Sequence, residues 1–236
     1  MASARPLVLA HRGASAQAPE NTLAAFVLAG ELGADGVELD VHRTSDGALV
    51  VHHDADLPGL GVVSEVSFAA VRAAHPSVPT LDEVLDVCTG MRLVNIELKC
   101  CAWDLDADPE RVLARGVAEL IAERDLYDSV VVSSFDLTQI DDLRAIDDRI
   151  ETAWLVHGVD PAGVVDLAAE RGHRWLHPDW GNLDANLDAV CAAAHAAGLR
   201  LDTWTCDDPE VARRFAAAGV DALITNVPDI ILAALS

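Results

Sequence analysis

Short apolar, branched runs alternate with helix-patterned segments along the whole chain, the signature of repeated βα units around a parallel sheet. The runs fall at 7–10, 36–41, 93–98, 129–133, 152–156, 175–177, 201–205 and 222–225. Between them lie amphipathic segments such as 22–32, 109–124, 161–171, 187–197 and 209–218, several closing on Gly33, Gly172, Gly198 or Gly219, where glycine suits a helix C-terminus. Eight strands, each followed by a helix, predict an α/β fold of the (β/α)8 TIM-barrel type. No linker, shift of composition or low-complexity stretch interrupts the series, so a single domain over 1–236 is expected.

A ninth apolar run, 48–52, follows the second strand after only Ser45-Asp46-Gly47. So short a turn makes an antiparallel hairpin and cannot make a parallel crossover, which predicts a β-hairpin extension on the barrel rim. If Asp46-Gly47 forms a two-residue turn, Asp40 pairs with His53 and His42 with Val51. Glu38, Asp40 and His53 then share a face by the period-2 rule.

A hydrophobic content of 51% excludes disorder, and no apolar run reaches the ~18 residues of a membrane span. The start, Met1 to Pro6, leads straight into the first strand without room for a secretory signal, so a cytoplasmic location is expected. Cys88, Cys100, Cys101, Cys191 and Cys206 are odd in number and lack paired C-x-x-C spacing, which predicts reduced thiols and no structural zinc. The formal charge of −23 argues against nucleic acid and against stable association with anionic membranes. A small molecule is the expected partner, with a homo-oligomer left open. An acidic shell also repels a phosphate ester, so a site for one must carry its own cations. Fifteen of the sixteen basic residues are Arg, and Lys99 is the exception.

Barrel enzymes carry their chemistry at the C-terminal ends of the strands. Those ends offer His11-Arg12, Glu38-x-Asp40, Glu97-x-Lys99, Ser133-Ser134-Phe135, His157, His177, Trp204 and Asn226. Glu38, Asp40 and Glu97 converging on one mouth cannot stay ionised side by side without a cation. An all-carboxylate set suits Mg2+ or Ca2+, or Mn2+, better than zinc. His11 and His53 fall both at strand ends and in the dense N-terminal cluster, and imidazoles flanking a phosphate can act as base and acid at neutral pH. His75, His173 and His195 read as surface or capping residues, His42 and His52 flank the site without a distinct task, and His157 and His177 are candidates for the pocket wall.

The chain resembles the glycerophosphodiester phosphodiesterase family. The matching elements are His11-Arg12-Gly13, Pro19-Glu20-Asn21-Thr22, Glu38-x-Asp40, Thr44-x-Asp46-Gly47, Val50-Val51-x-His53-Asp54, Pro79-Thr80-Leu81, Ile96-Glu97-Leu98-Lys99, Ser134-Phe135, Trp204-Thr205, Gly219-Val220-Asp221 and Ile224-Thr225. The resemblance implies a barrel of the phosphoinositide phospholipase C type. It implies one divalent metal held by Glu38, Asp40 and Glu97, with His11 and His53 as the acid/base pair. Arg12 and Lys99 would neutralise the phosphoryl oxygens, and Trp204 and Phe135 would line the substrate pocket. The implied reaction is hydrolysis of glycerophosphodiesters to glycerol 3-phosphate and an alcohol.

Two other readings remain: a lyase-like relative releasing a cyclic phosphate, and a catalytically inactive barrel acting as a binding protein. The sequence also departs from the family pattern. The stretch after His53-Asp54 is short and apolar, Asn226 stands where an Asp is usual, and Cys206 replaces a common aliphatic residue; neither Asn226 nor Cys206 is expected to touch the chemistry. The segment 57–63 with Trp103 and Trp180 is expected to form the rim that meets the alcohol, with simple packing under a loop as the alternative.

Overall fold

The computed structural model describes residues 5–236; residues 1–4, at the head of the segment read as leading directly into the first strand, lie outside the described residues. Eight parallel strands close on themselves: β1 (Leu7–His11), β2 (Gly36–Arg43), β6 (Leu93–Leu98), β7 (Val130–Ser134), β8 (Glu151–Val156), β9 (Trp175–Pro178), β10 (Arg200–Thr203) and β11 (Ala222–Thr225). β1 pairs with both β2 and β11, which completes the barrel. These strands are buried almost throughout, as expected where helices cover the outer face, and this explains their near-continuous apolar runs. Trp175, Leu9, Val131, Ala153 and Ile224 pack inside the barrel. Two larger clusters lie between the sheet and its helices.

The hairpin exists, with a different register. β3 (Leu49–Val51) runs antiparallel to β2, but Val41 faces Val51 and His42 faces Val50, one residue away from the predicted pairing. The turn is the cause. The Thr44 amide donates to the Ala48 carbonyl and the Gly47 amide to the Thr44 carbonyl, with Gly47 at φ 84°, so the loop has three residues and a left-handed glycine. Thr44 Oγ1 donates to Asp46 Oδ1 at 2.6 Å, and the same oxygen accepts the Phe68 amide, fixing the longer turn. Asp40 therefore lies opposite His52, whose amide donates to the Asp40 carbonyl, and His53 stands just beyond the strand.

Two residues of the segment expected to form a substrate rim, Leu57 and Val63, are instead packed, while Pro58, Gly59 and Gly61 stay exposed. The segment folds as a small hairpin of β4 (Asp56–Leu57) and β5 (Gly61–Val62), and Leu57 and Val63 are buried against Val50, Val71 and Val78. Among the helices, α4 (Val112–Arg124) begins three residues later than its pattern, after Arg111 in a left-handed conformation, and α6 (Val165–Glu170) is preceded by a 3-10 turn at Pro161–Gly163. All five cysteines are free and buried. Burial pushes the Cys88, Cys101 and Cys206 thiols up to about 12, so they are inert apolar filling. No helix among the described residues is long and apolar enough to cross a membrane.

Gly36, the first residue of β2, lies against β6: a Cβ there would overlap the Leu93 carbonyl oxygen. Gly36→Ala should displace β2 and destabilise the protein by at least about 1–3 kcal/mol, the usual cost of overpacking. Differential scanning calorimetry should show this as a lowered Tm, roughly 2–4 °C per kcal/mol in a domain of this size.

Candidate active site

The first loop is built on the His11-Arg12-Gly13 string. Arg12 has φ 56° and donates its amide to the Glu38 carbonyl at 2.9 Å, so the chain leaving β1 stays tied to β2. Gly13 has φ 80°, and a Cβ on it would lie 2.6 Å from the Ala25 carbonyl carbon, so only glycine lets this loop touch the helix α1 (Leu23–Glu31). Thr22 caps that helix, its Oγ1 accepting the Ala25 amide. The preceding Asn21, buried and at φ 55°, points its amide into the site.

Parallel pairing then sets the acids. On β2 and β6, Asp40 lies opposite Glu97 and Glu38 opposite Asn95, while His11 lies opposite Glu38 across β1 and β2. Glu38, Asp40 and Glu97 are all buried, each with a carboxylate oxygen within 4.8 Å of the others. Lys99 bridges two of them, Nζ lying 2.5 Å from Glu97 Oε1 and 2.9 Å from Asp40 Oδ1. Arg12 Nε lies 3.1 Å from Asp40 Oδ2, an oxygen that also accepts from Asn21 Nδ2 at 2.8 Å.

The charges are shared unevenly. Burial works to raise the Asp40 pKa, but Lys99 and Arg12 override it and hold the carboxyl at about 2. Burial raises Glu97 as well, partly opposed by Lys99. Glu38 is pushed well above the ordinary range, first by burial and then by the neighbouring Asp40 and Glu97. Among the described residues its carboxylate accepts the Arg12 amide at 3.2 Å, and His11 Nε2 lies 3.8 Å away. Three converging oxygen donors short of positive charge at Glu38 fit a hard divalent cation.

His11 and His53 both face an inner cavity of about 220 Å3 that Arg12, Lys99, Phe135 and Trp204 also line. The Phe135 and Trp204 rings meet edge to face at 5.5 Å, forming one wall. A second, outer cavity of about 400 Å3 shares His53, Glu97, Lys99 and Phe135 with the first and reaches Trp103, which is 67% exposed. The nine residues anticipated for the site therefore gather around one mouth. Trp180 lines neither cavity. His177 is fully buried inside the barrel, away from the pocket wall, and His157 is exposed and hydrogen-bonded to Asp179. His173 is buried, its Nδ1 2.8 Å from Thr152 Oγ1, so it is not a surface residue.

Two supporting residues had no assigned task in the sequence. Asn21 braces Asp40 as described. Asn226, expected to stand apart from the chemistry, holds His11: its Oδ1 lies 2.7 Å from His11 Nδ1, while its Nδ2 donates to Asp207 at 2.7 Å. With the carboxamide so fixed, Oδ1 accepts from Nδ1–H and leaves His11 Nε2 turned toward Glu38. The Asn at the end of the last strand was visible in the sequence, but its partner 215 positions away was not.

A closed parallel barrel with paired cations and carboxylates, two histidines and an aromatic wall at the strand C-termini defines an enzyme built for a small anionic substrate. Comparison narrows the class: residues 11–230 match the Glycerophosphoryl diester phosphodiesterase family. A glycerophosphodiester phosphodiesterase of Caldanaerobacter subterraneus subsp. tengcongensis is 33% identical over 97% of both chains. Among solved structures, a glycerophosphodiester phosphodiesterase from Thermotoga maritima superposes with a TM-score of 0.83 at 28% identity, covering 98% of this chain and 99% of its own. A phosphodiesterase from Oleispira antarctica, in complex with the product sn-glycerol-3-phosphate, does so at 0.83 and 25%, covering 98% and 96%. The chain belongs to the glycerophosphodiester phosphodiesterase family and is a phosphoric diester hydrolase.

Asn21→Ala removes the brace on Asp40 without removing a charge. It should lower activity by about 10–100-fold, the usual cost of losing the hydrogen-bond partner that orients a carboxylate of such a site. Steady-state kinetics alongside circular dichroism would check this, and undiminished turnover would show that Asp40 needs no amide.

Proposed function

We propose that the protein hydrolyses glycerophosphodiesters to glycerol 3-phosphate and an alcohol, with His11 and His53 as the acid/base pair and with a divalent metal held by Glu38, Asp40 and Glu97. The observation that carries this reading is the convergence of His11, His53, Glu38 and Glu97 with Arg12 and Lys99 on one cavity, with the Asp40 carboxylate buried beside Glu38 and Glu97. The glycerol 3-phosphate bound to the Oleispira relative supports the same substrate class. The domain is read as one barrel over 1–236, working in the cytoplasm on a small molecule without stable membrane association.

Arg12 and Lys99 bring N–H donors to the phosphoryl oxygens, where negative charge grows as the nucleophile adds. One histidine accepts the nucleophile's proton and the other protonates the departing alkoxide. Phe135 and Trp204 wall the inner cavity and limit the water around the ester. When bound, Mg2+, Ca2+ or Mn2+ supplies further charge stabilisation at the phosphoryl oxygens.

Incubation with glycerophosphocholine, followed by phosphorus NMR, should yield glycerol 3-phosphate. Accumulation of a cyclic phosphate would instead identify a lyase, and an unchanged substrate a binding protein. EDTA should abolish turnover and Mg2+ or Ca2+ restore it; full activity in metal-free protein would remove the metal from the proposal. His11→Ala and His53→Ala should each lower kcat by about 10²–10⁴-fold.

Lys99 is expected to be required as lysine. Its ammonium is a compact charge that reaches two carboxylates at once, whereas a guanidinium is a wide planar fork. Lys99→Arg should therefore lose nearly as much activity as Lys99→Ala while keeping its melting temperature. An active Lys99→Arg enzyme would mean that any cation serves there.

A further inference from the structure

His53 stands beyond the end of β3, and among the described residues its ring is hydrogen-bonded only to the exposed Asp54, Nδ1 lying 2.7 Å from Oδ1. An acid/base group so attached needs its backbone fixed from elsewhere. Beneath it lies a buried cluster that the reaction does not use: His42, Cys100 and Asp106, none more than 3% exposed. His42 Nε2 is 3.2 Å from the His53 carbonyl oxygen, and His42 Nδ1 is 2.6 Å from Asp106 Oδ2. Both ring nitrogens thus face acceptors. The Cys100 thiol donates to the same Asp106 oxygen at 3.0 Å, and burial with the neighbouring Asp106 pushes that thiol's pKa up, so the sulfur keeps its proton.

The cluster joins segments that are distant in the sequence. His42 belongs to β2, Asp106 to the loop between β6 and α4, and Cys100 directly follows Lys99. Gln139 Nε2 holds the carbonyls of Lys99 and Cys100 at 3.1 and 2.5 Å, so the joint is anchored on that side too. The donor set of imidazole, thiol and carboxylate invites comparison with zinc. Ligands around a zinc with bonds near 2.0–2.3 Å stand about 3.3 Å or more apart. The 2.6 and 3.0 Å separations found here are instead those of direct hydrogen bonds.

We propose that His42 is a positioning residue: through the buried joint with Asp106 and Cys100 it fixes the backbone that carries His53. The inference rests on the acid/base role given to His53 above. A group displaced by about 1 Å can cost 10²-fold in rate, so a joint that governs placement acts on kcat more than on substrate binding.

The test uses the full chain with glycerophosphocholine under metal-replete conditions. His42→Phe preserves an aromatic ring and removes both nitrogens; kcat should fall by about 10–100-fold with KM changed by less than about twofold. The decisive measurement is the double-mutant cycle with His53→Ala, because residues that act as one unit are not additive. In the His53→Ala background, His42→Phe should cause no further loss. Asp106→Ala, on a loop, should behave the same way and carries the cycle if His42→Phe does not fold. Full additivity, or wild-type kcat in both variants, would overturn the proposal, as would one equivalent of zinc that disappears in Cys100→Ala. If His53→Ala itself turns over at the wild-type rate, the acid/base reading fails first and the positioning role falls with it.

Discussion

The structure depends on one electrostatic constraint: three carboxylates buried side by side at the mouth of a low-dielectric barrel. Parallel pairing of β2 with β6 brings this about by setting Asp40 directly opposite Glu97, and no sliding of either strand relieves it without breaking the ladder. The compensation is local. Lys99 spans two of the acids, and Arg12, carried on a left-handed residue after β1, reaches Asp40 from the other side. In a chain with 39 acidic residues against 16 basic ones, these two cations stand where an anionic substrate must be tolerated. Glu38 is left with the least compensation, its carboxyl pushed up by burial and by the neighbouring Asp40 and Glu97.

Around this charged centre the supports are neutral amides and backbone bonds, and this division has a physical reason. A further charge near Asp40 or His11 would change the balance that holds one acid ionised and burdens another. Asn21 and Asn226 orient their partners without doing so. The proposed joint at His42 follows the same logic at greater distance, acting on the His53 carbonyl and leaving the ring untouched.

Much of this was legible in the sequence because barrel strands announce themselves twice, by apolar runs and by the titratable residues at their ends. The carboxylates, both histidines and Lys99 were picked out by their position at or just past the ends of predicted strands, whereas the shared face proposed for His53 with Glu38 and Asp40 rested on a hairpin register that is one residue off. The register of the hairpin was not legible. Thr44-Ser45-Asp46-Gly47-Ala48 suits a two-residue or a three-residue loop equally, and the choice fell to contacts made by Asp46 with Thr44 and Phe68. The apolar stretch 57–63 failed for a different reason: composition cannot distinguish a wall that meets substrate from residues packed beneath a loop, and Leu57 and Val63 belong to the second kind. Asn226 shows a third limit, since an amide's role lies wholly in what it faces.

The layer inside the barrel below the site extends the same electrostatic argument. His177 and Asp202 project there, both fully buried. At 3.8 Å they are too far apart to share a hydrogen bond, and burial lowers His177 to about 3 while driving Asp202 well above the carboxylate range. Burial thus opposes charge on either group. An ionised Asp202 would add negative charge within the same barrel, below acids of which Glu38 and Glu97 are already pushed up. A layer in which burial disfavours charge leaves the charged groups of the barrel concentrated at the strand ends, at Glu38, Asp40, Glu97, Arg12 and Lys99.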